Sequence, residues 1–108
     1  MYSDFMTARS RLRKVVDAST SVRCVTGRGV IREEVWLDEM DEVARYNLAF
    51  VSHFLCSSDN GRVLGYDNSH GMHHRHCYGV VELFDYENYD LLLERFLDEV
   101  ALLRKEKR

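Results

Sequence analysis

Arg62-Val63-Leu64-Gly65-Tyr66-Asp67-Asn68-Ser69-His70-Gly71-Met72-His73-His74-Arg75-His76 is the stretch on which the fold turns. Arg62 to Asp67 reads as a β-strand, the Asn, Ser and Gly of residues 68–72 read as a loop, and the chain re-enters a sheet around residues 75–82. The same stretch concentrates chemistry. Four of the five histidines fall within its last seven residues, bracketed by an Asp-Asn pair and split by an arginine. Imidazole exchanges a proton near neutrality. With a carboxylate, an amide and a guanidinium beside it, it can move protons, or hold a phosphate or a metal.

Outward from this stretch, residues 57–61 (Ser-Ser-Asp-Asn-Gly) form a turn whose Asn-Gly pair is a common hairpin signal. Before it, residues 45–55 alternate, with Tyr46, Leu48, Phe50 and Phe54 on one parity and Ser52 breaking the series. Residues 20–25 and 30–37 are β-rich runs separated by a hairpin turn at Thr26-Gly27-Arg28-Gly29. Residues 3–17 predict an amphipathic helix, with Ser3 as N-cap and Phe5, Ala8, Leu12, Val15 and Val16 at helical spacing. At the other end Asp85 can cap a helix whose apolar stripe is Tyr89, Leu92, Leu93, Phe96, Leu97, Val100 and Leu103. Acidic Glu87 and Asp90 open that helix, and Arg104, Lys105, Lys107 and Arg108 close it, both favourable to its dipole. The expectation is an α+β fold: an antiparallel sheet of about four to five strands with an N-terminal helix and a C-terminal amphipathic helix packed on it.

The 108 residues suit one domain, 1–108, with a modest core. A hydrophobic fraction of 45% and a charged fraction of 31% are those of a soluble globule. No apolar run approaches the roughly 18 residues of a membrane span, and without a basic start followed by an apolar core no secretory signal is expected. Three widely spaced cysteines, Cys24, Cys56 and Cys77, fit reduced thiols in the cytosol. The net charge of −3 hides a polarity: residues 9–32 carry seven basic residues against Asp17, and residues 33–47 carry six acids against Arg45. A basic face for RNA or a partner, and two merely solvated faces, both fit that pattern.

If the triplet at 74–76 is extended, His74 and His76 point to one face and Arg75 to the other, while His70 and His73 come from the loop. Three readings compete. In metal-free RNA cleavage one histidine takes the proton of a ribose 2′-hydroxyl and a second protonates the leaving 5′-oxygen. Arg75 would then stabilise the phosphate, and Tyr66 or Tyr78 would stack on a base. In a metal site, His70, His73 or His74, and His76, with Asp67 or Cys77, supply the ligands, although the spacing matches no standard signature and an arginine stands among them. In a structural reading, Asp67 and Asn68 cap a turn, Gly71 supplies a positive φ and the histidines are exposed hydrogen-bonders. The mixture of groups favours phosphate chemistry over metal. His53 reads as an isolated strand residue, Trp36 as core or interface, and Cys24 and Cys56 as small buried apolar groups.

The run Val63-Leu64-Gly65-Tyr66-Asp67-Asn68-Ser69-His70-Gly71, followed by His74-Arg75-His76, resembles the TumE family of toxin–antitoxin systems. That family's pattern is a strand ending in Gly-Tyr-Asp-Asn, a His-Gly turn, a His-Arg-His triplet and a C-terminal amphipathic helix. The likeness runs from residue 62 to residue 100; the earlier half matches only as β-rich segments, and Met72-His73 departs from the pattern. It implies a small bacterial or archaeal toxin of a type II system, neutralised by a cognate antitoxin protein that typically carries a helix-turn-helix domain. Carried across position by position, the candidates are Tyr66, Asp67, Asn68, His70, His74, Arg75 and His76. Helix, strands and helix in this order also look like RelE-like ribonuclease toxins, by analogy of fold alone.

Resemblance and side-chain inventory together give the expectation of a cytoplasmic toxin acting as a metal-independent ribonuclease without a cofactor. His74 and His76 would be the acid–base pair, Arg75 the phosphate ligand, His70 and Asp67 their support, and Asn68, Tyr66 and Tyr78 contacts to substrate. Its partners would be RNA and the antitoxin, with no membrane and with room for an oligomer. The alternatives are a non-catalytic nucleic-acid- or protein-binding module, a His-rich metal-binding protein and, with no Gly-rich phosphate loop to support it, transfer chemistry on a nucleotide or protein substrate.

Overall fold

Tyr46, Leu48 and Phe50 share one parity and are all buried. They belong to β3 (Val43–Val51), near the centre of a six-stranded antiparallel sheet whose strands neighbour one another in chain order. The computed structural model describes residues 11–107. β1 (Arg13–Cys24) and β2 (Gly27–Leu37) form a long hairpin on one side of β3. β4 (Arg62–Asp67) follows on the other side, then the short hairpin of β5 (His74–Cys77) and β6 (Val80–Leu83). Helix α1 (Tyr89–Leu103) packs on one face, where its buried Leu92, Phe96 and Val100 meet Leu48, Phe50, Leu64 and Tyr66 in one core. The other face of the sheet has no helix on it among the described residues. No helix among those residues is long and apolar enough to cross a membrane.

The expected N-terminal helix is corrected where it can be seen. Residues 13–17 are the start of β1, with Val16 opposite Val35 and Asp17 opposite Glu34; residues 3–10 lie outside the described residues. Leu12, Val15 and Val16 suit a helix stripe, but β-branched neighbours suit a pleated strand better, and a ladder to β2 decides the matter. The sheet has six strands rather than four or five because residues 75–82 hold a hairpin, β5 and β6, instead of one strand. The first reversal falls on Val25 and Thr26, which leaves Gly27 to Gly29 inside β2. β3 stops at Val51, not at residue 55. The backbone N–H of buried Ser52 donates to Gly61, and its carbonyl accepts from Leu55 and Cys56, so the chain turns there. His53 is consequently an exposed turn residue. Cys24 and Cys56 are buried thiols, as expected.

Asn88, not Asp85, caps α1: its side-chain oxygen accepts the backbone N–H of Leu91 at 2.9 Å. That shift leaves residues 84–87 as an extended strap between β6 and the helix. The strap carries Phe84 and Tyr86 against the core.

The opposed charge runs meet each other. Arg11 pairs with Glu39, Arg13 with Asp41, and Lys14 and Arg32 with Asp17 and Glu34. Antiparallel pairing of β1, β2 and β3 folds the basic run onto the acidic one. Most of the apparent basic patch is therefore neutralised within the sheet.

Candidate functional site

Registered pairing puts Asp67 opposite His74 and Gly65 opposite His76, so these side chains share the uncovered face of the sheet. His76 Nε2 lies 3.0 Å from Asp67 Oδ2, and His76 Nδ1 lies 3.0 Å from an Arg62 amine nitrogen. The His74 ring stands 6.4 Å from that of His76, centroid to centroid, tilted by 50°. His70 and Ser69 complete an open pocket of about 320 Å³ with Arg62, Asp67, His74, His76 and Val81. Neither the His70 nor the His74 ring has a hydrogen-bond partner among the described residues. A larger hollow beside Arg23, Val25, Ala101 and Arg104 holds no imidazole or carboxylate.

Arg62 reaches this face through an irregularity. Phe50 pairs with Leu64 and Val51 with Arg62, so β4 carries one extra residue there. Strict alternation would send Arg62 to the helix side with Leu64 and Tyr66; the bulge re-aims it outward. Its stem then lies across Gly65, where a Cβ atom would come 2.7 Å from Arg62 Cδ. Glycine at 65 is thus a trough for the arginine. Sequence reasoning missed Arg62, and the only signal was that glycine in the middle of an otherwise bulky strand.

Arg75 goes the other way. Paired with Tyr66 across β4 and β5, it projects to the helix side, where its Nε donates to the Tyr66 hydroxyl at 3.0 Å and an amine nitrogen to Glu99 of α1. The Tyr66 hydroxyl donates in turn to Glu99. Burial opposes the charge on Arg75, but hydrogen bonds to Glu99 and Tyr66 outweigh it and raise the pKa. Burial first, and the Glu99 carboxylate second, push the Tyr66 pKa up to about 12. Arg75 thus lies on the opposite face of the sheet from His74 and His76, and Tyr66, expected to contact substrate, is fully buried. Both placements follow from the same fact, the two-residue period of a strand.

The remaining candidates divide. The Asn68 side chain accepts from Tyr46 N–H at 3.0 Å and donates to the Ala44 carbonyl at 3.1 Å, prolonging the β3–β4 ladder by one rung. Its own carbonyl accepts Gly71 N–H, with Gly71 at φ +81°. Asn68 is therefore a turn and sheet residue, as the structural reading had it. Tyr78 sits at φ +49° in the β5–β6 turn and donates to Glu106. His73 is drawn inward: its ring stacks on Tyr86 at 4.1 Å and its Nδ1 faces the Tyr46 hydroxyl at 2.8 Å. Burial, and then the nearby His74, lower its pKa. Trp36 stands on the uncovered face between Lys14 and Arg45.

The four histidines thus separate into an outer group, His70, His74 and His76, and an inner one, His73. Among the described residues no three His, Cys, Asp or Glu side chains are grouped to hold a metal ion. What the outer group offers is two neighbouring imidazoles, one oriented by a carboxylate, beside a guanidinium. That set can pass protons at an anion. No family model matches the chain, and no curated protein or solved structure matches it.

Proposed function

We propose that the protein is the toxin of a type II toxin–antitoxin system and acts as a metal-independent endoribonuclease at the His74–His76 pocket. The observation that carries the reaction is the shared face of His74, His76, Asp67 and Arg62 around an open pocket. Asp67 accepts the Nε2 proton of His76, which leaves Nδ1 as the basic nitrogen. His76 Nδ1 takes the proton of a ribose 2′-hydroxyl, the oxygen bonds to the adjacent phosphorus, and the bond from phosphorus to the 5′-oxygen breaks. Protonated His74 gives its proton to that leaving oxygen. The products are a 2′,3′-cyclic phosphate and a 5′-hydroxyl, with no proton gained or lost overall. Arg62, in place of Arg75, supplies the positive charge against the phosphate.

The toxin assignment is supported by the resemblance of residues 62–100 to the TumE pattern. A cytoplasmic site of action and a helix-turn-helix antitoxin belong to the same reading. Purified protein incubated with total RNA in EDTA is expected to yield fragments ending in 2′,3′-cyclic phosphate, and His76→Ala to lose this activity by about 10²–10⁴-fold. Intact RNA, or cleavage abolished by EDTA and restored by zinc, contradicts the reading.

A further inference from the structure

His76 is engaged at both ring nitrogens, by Asp67 at Nε2 and by Arg62 at Nδ1. A guanidinium offers only N–H donors, so the nitrogen it faces must be the one with the lone pair. The proton therefore sits on Nε2, pointing at Asp67. This is the tautomer a base at Nδ1 requires, yet Arg62 covers the lone pair. Something has to move before His76 can accept a proton.

Arg62 is built to pivot. Its Nε is tied to Asp59 Oδ2 at 2.8 Å, close to the chain, while its amine nitrogens reach forward to His76 Nδ1 at 3.0 Å and Asp67 at 3.9 Å. The Nε contact can persist while the far end swings. Across the pocket, the His70 and His74 rings have no hydrogen-bond partner among the described residues, so they stand ready for an incoming anion. A guanidinium grips a phosphate through two charge-assisted hydrogen bonds, and its contact with a neutral imidazole is a single weaker one. A phosphate in the pocket therefore outcompetes Nδ1 for Arg62.

We propose that Arg62 is a phosphate-operated latch: a phosphate entering between Arg62, His70 and His74 draws the guanidinium off His76 and uncovers the Nδ1 lone pair. The inference rests on the ribonuclease reading for the identity of its substrate, a phosphodiester beside a 2′-hydroxyl. Its physical content is separate, because phosphate binding and the release of Nδ1 occur without any bond being cleaved. The latch also governs access: the guanidinium covers Nδ1, and the base is exposed only when a phosphate is in place. Arg62 is then a positioning residue for the base as well as the phosphate ligand.

The test is long-range proton–nitrogen NMR of the imidazoles in ¹⁵N-labelled full-length protein, titrated with inorganic phosphate against chloride at equal ionic strength. Without phosphate, His76 is expected to show the Nε2–H tautomer with Nδ1 shifted by a hydrogen bond. With phosphate, the tautomer is kept and the Nδ1 signal moves to that of an unbonded nitrogen, saturably. Arg62→Gln is expected to show the unbonded signal from the start and to bind phosphate at least tenfold more weakly. Gly65→Ala, whose new methyl has its three nearest neighbours, at 2.7 to 3.3 Å, all in the Arg62 side chain, is expected to do the same through displacement of the arginine, and it guards against a fold effect peculiar to position 62. A His76 Nδ1 signal indifferent to saturating phosphate, or an unaltered phosphate response in Arg62→Gln, overturns the latch. If total RNA stays intact while the phosphate response appears as described, the ribonuclease reading fails and the latch stands.

Discussion

Two clusters of similar composition lie back to back across the same pair of strands. On the helix side are Arg75, Glu99 and Tyr66; on the uncovered side are Arg62, Asp67 and His76. Each joins a guanidinium, a carboxylate and a ring that both donates and accepts. The inner cluster is closed by Phe84 and Phe96 against Tyr66 and by Arg95 over the Tyr66 ring. It contains no imidazole. The outer cluster substitutes an imidazole for the phenol and faces an open pocket. The parts are alike and the surroundings opposite: one cluster fastens α1 to the sheet, and the other stands at an open pocket where the proposed chemistry would take place.

Removing a carboxylate from each side separates the two roles. Glu99→Ala removes the carboxylate to which both the Arg75 guanidinium and the Tyr66 hydroxyl donate, leaving them bonded to each other alone within the cluster, and is expected to cost about 2–3 kcal/mol in urea unfolding. Asp67→Asn, on the open side, is expected to cost about 1 kcal/mol while lowering the rate of RNA cleavage, because an amide in place of the carboxylate no longer fixes the His76 tautomer. Equal destabilisation by the two substitutions would mean that both clusters are structural.

The inner side also carries a pH effect that the outer side does not need. His73 has a lowered pKa in the folded state, from burial first and His74 second, so the unfolded chain takes up its proton first as the pH falls. The stability His73 gives is whole above the ordinary imidazole value of 6.5 and is lost progressively as the pH drops through the depressed folded value. Urea midpoints measured between pH 7.5 and 5 are expected to fall more steeply in the wild type than in His73→Phe. Identical slopes would show that His73 is not held neutral by its aromatic neighbours. Smallest of all is the effect at the paired charge runs. Arg13→Ala removes a bond to Asp41 between two exposed side chains and is expected to change stability by less than about 0.5 kcal/mol.

Much of this was legible in the sequence. β4 has the bounds its composition gave, the loop at residues 68–72 is a loop, and the buried residues of α1 fall on the anticipated stripe. Alternation correctly set His74 and His76 on one face and Arg75 on the other; assigning Arg75 to the phosphate ignored that geometry. Arg62 was hidden because a bulge changes the face of a residue without leaving a mark in the hydrophobic pattern. Val15 and Val16 were ambiguous between a helix stripe and a strand, and only the long-range ladder to β2 resolves them. The basic run looked like a surface patch because its partners lie 20 or more residues away for Arg11, Arg13 and the Lys14–Glu34 pair. His73 could not be separated from its three neighbours by spacing, since what distinguishes it is the stack on Tyr86 from a distant strap.

The decisive comparison is RNA cleavage by His76→Ala and Arg75→Lys, each at equal concentration of folded protein. If the open face does the chemistry and the covered face only holds the helix, His76→Ala loses at least about 10²-fold in rate. Arg75→Lys then keeps the wild-type rate per folded molecule even where its unfolding midpoint drops. A folded Arg75→Lys protein as inactive as His76→Ala, or a fully active His76→Ala protein, contradicts that division.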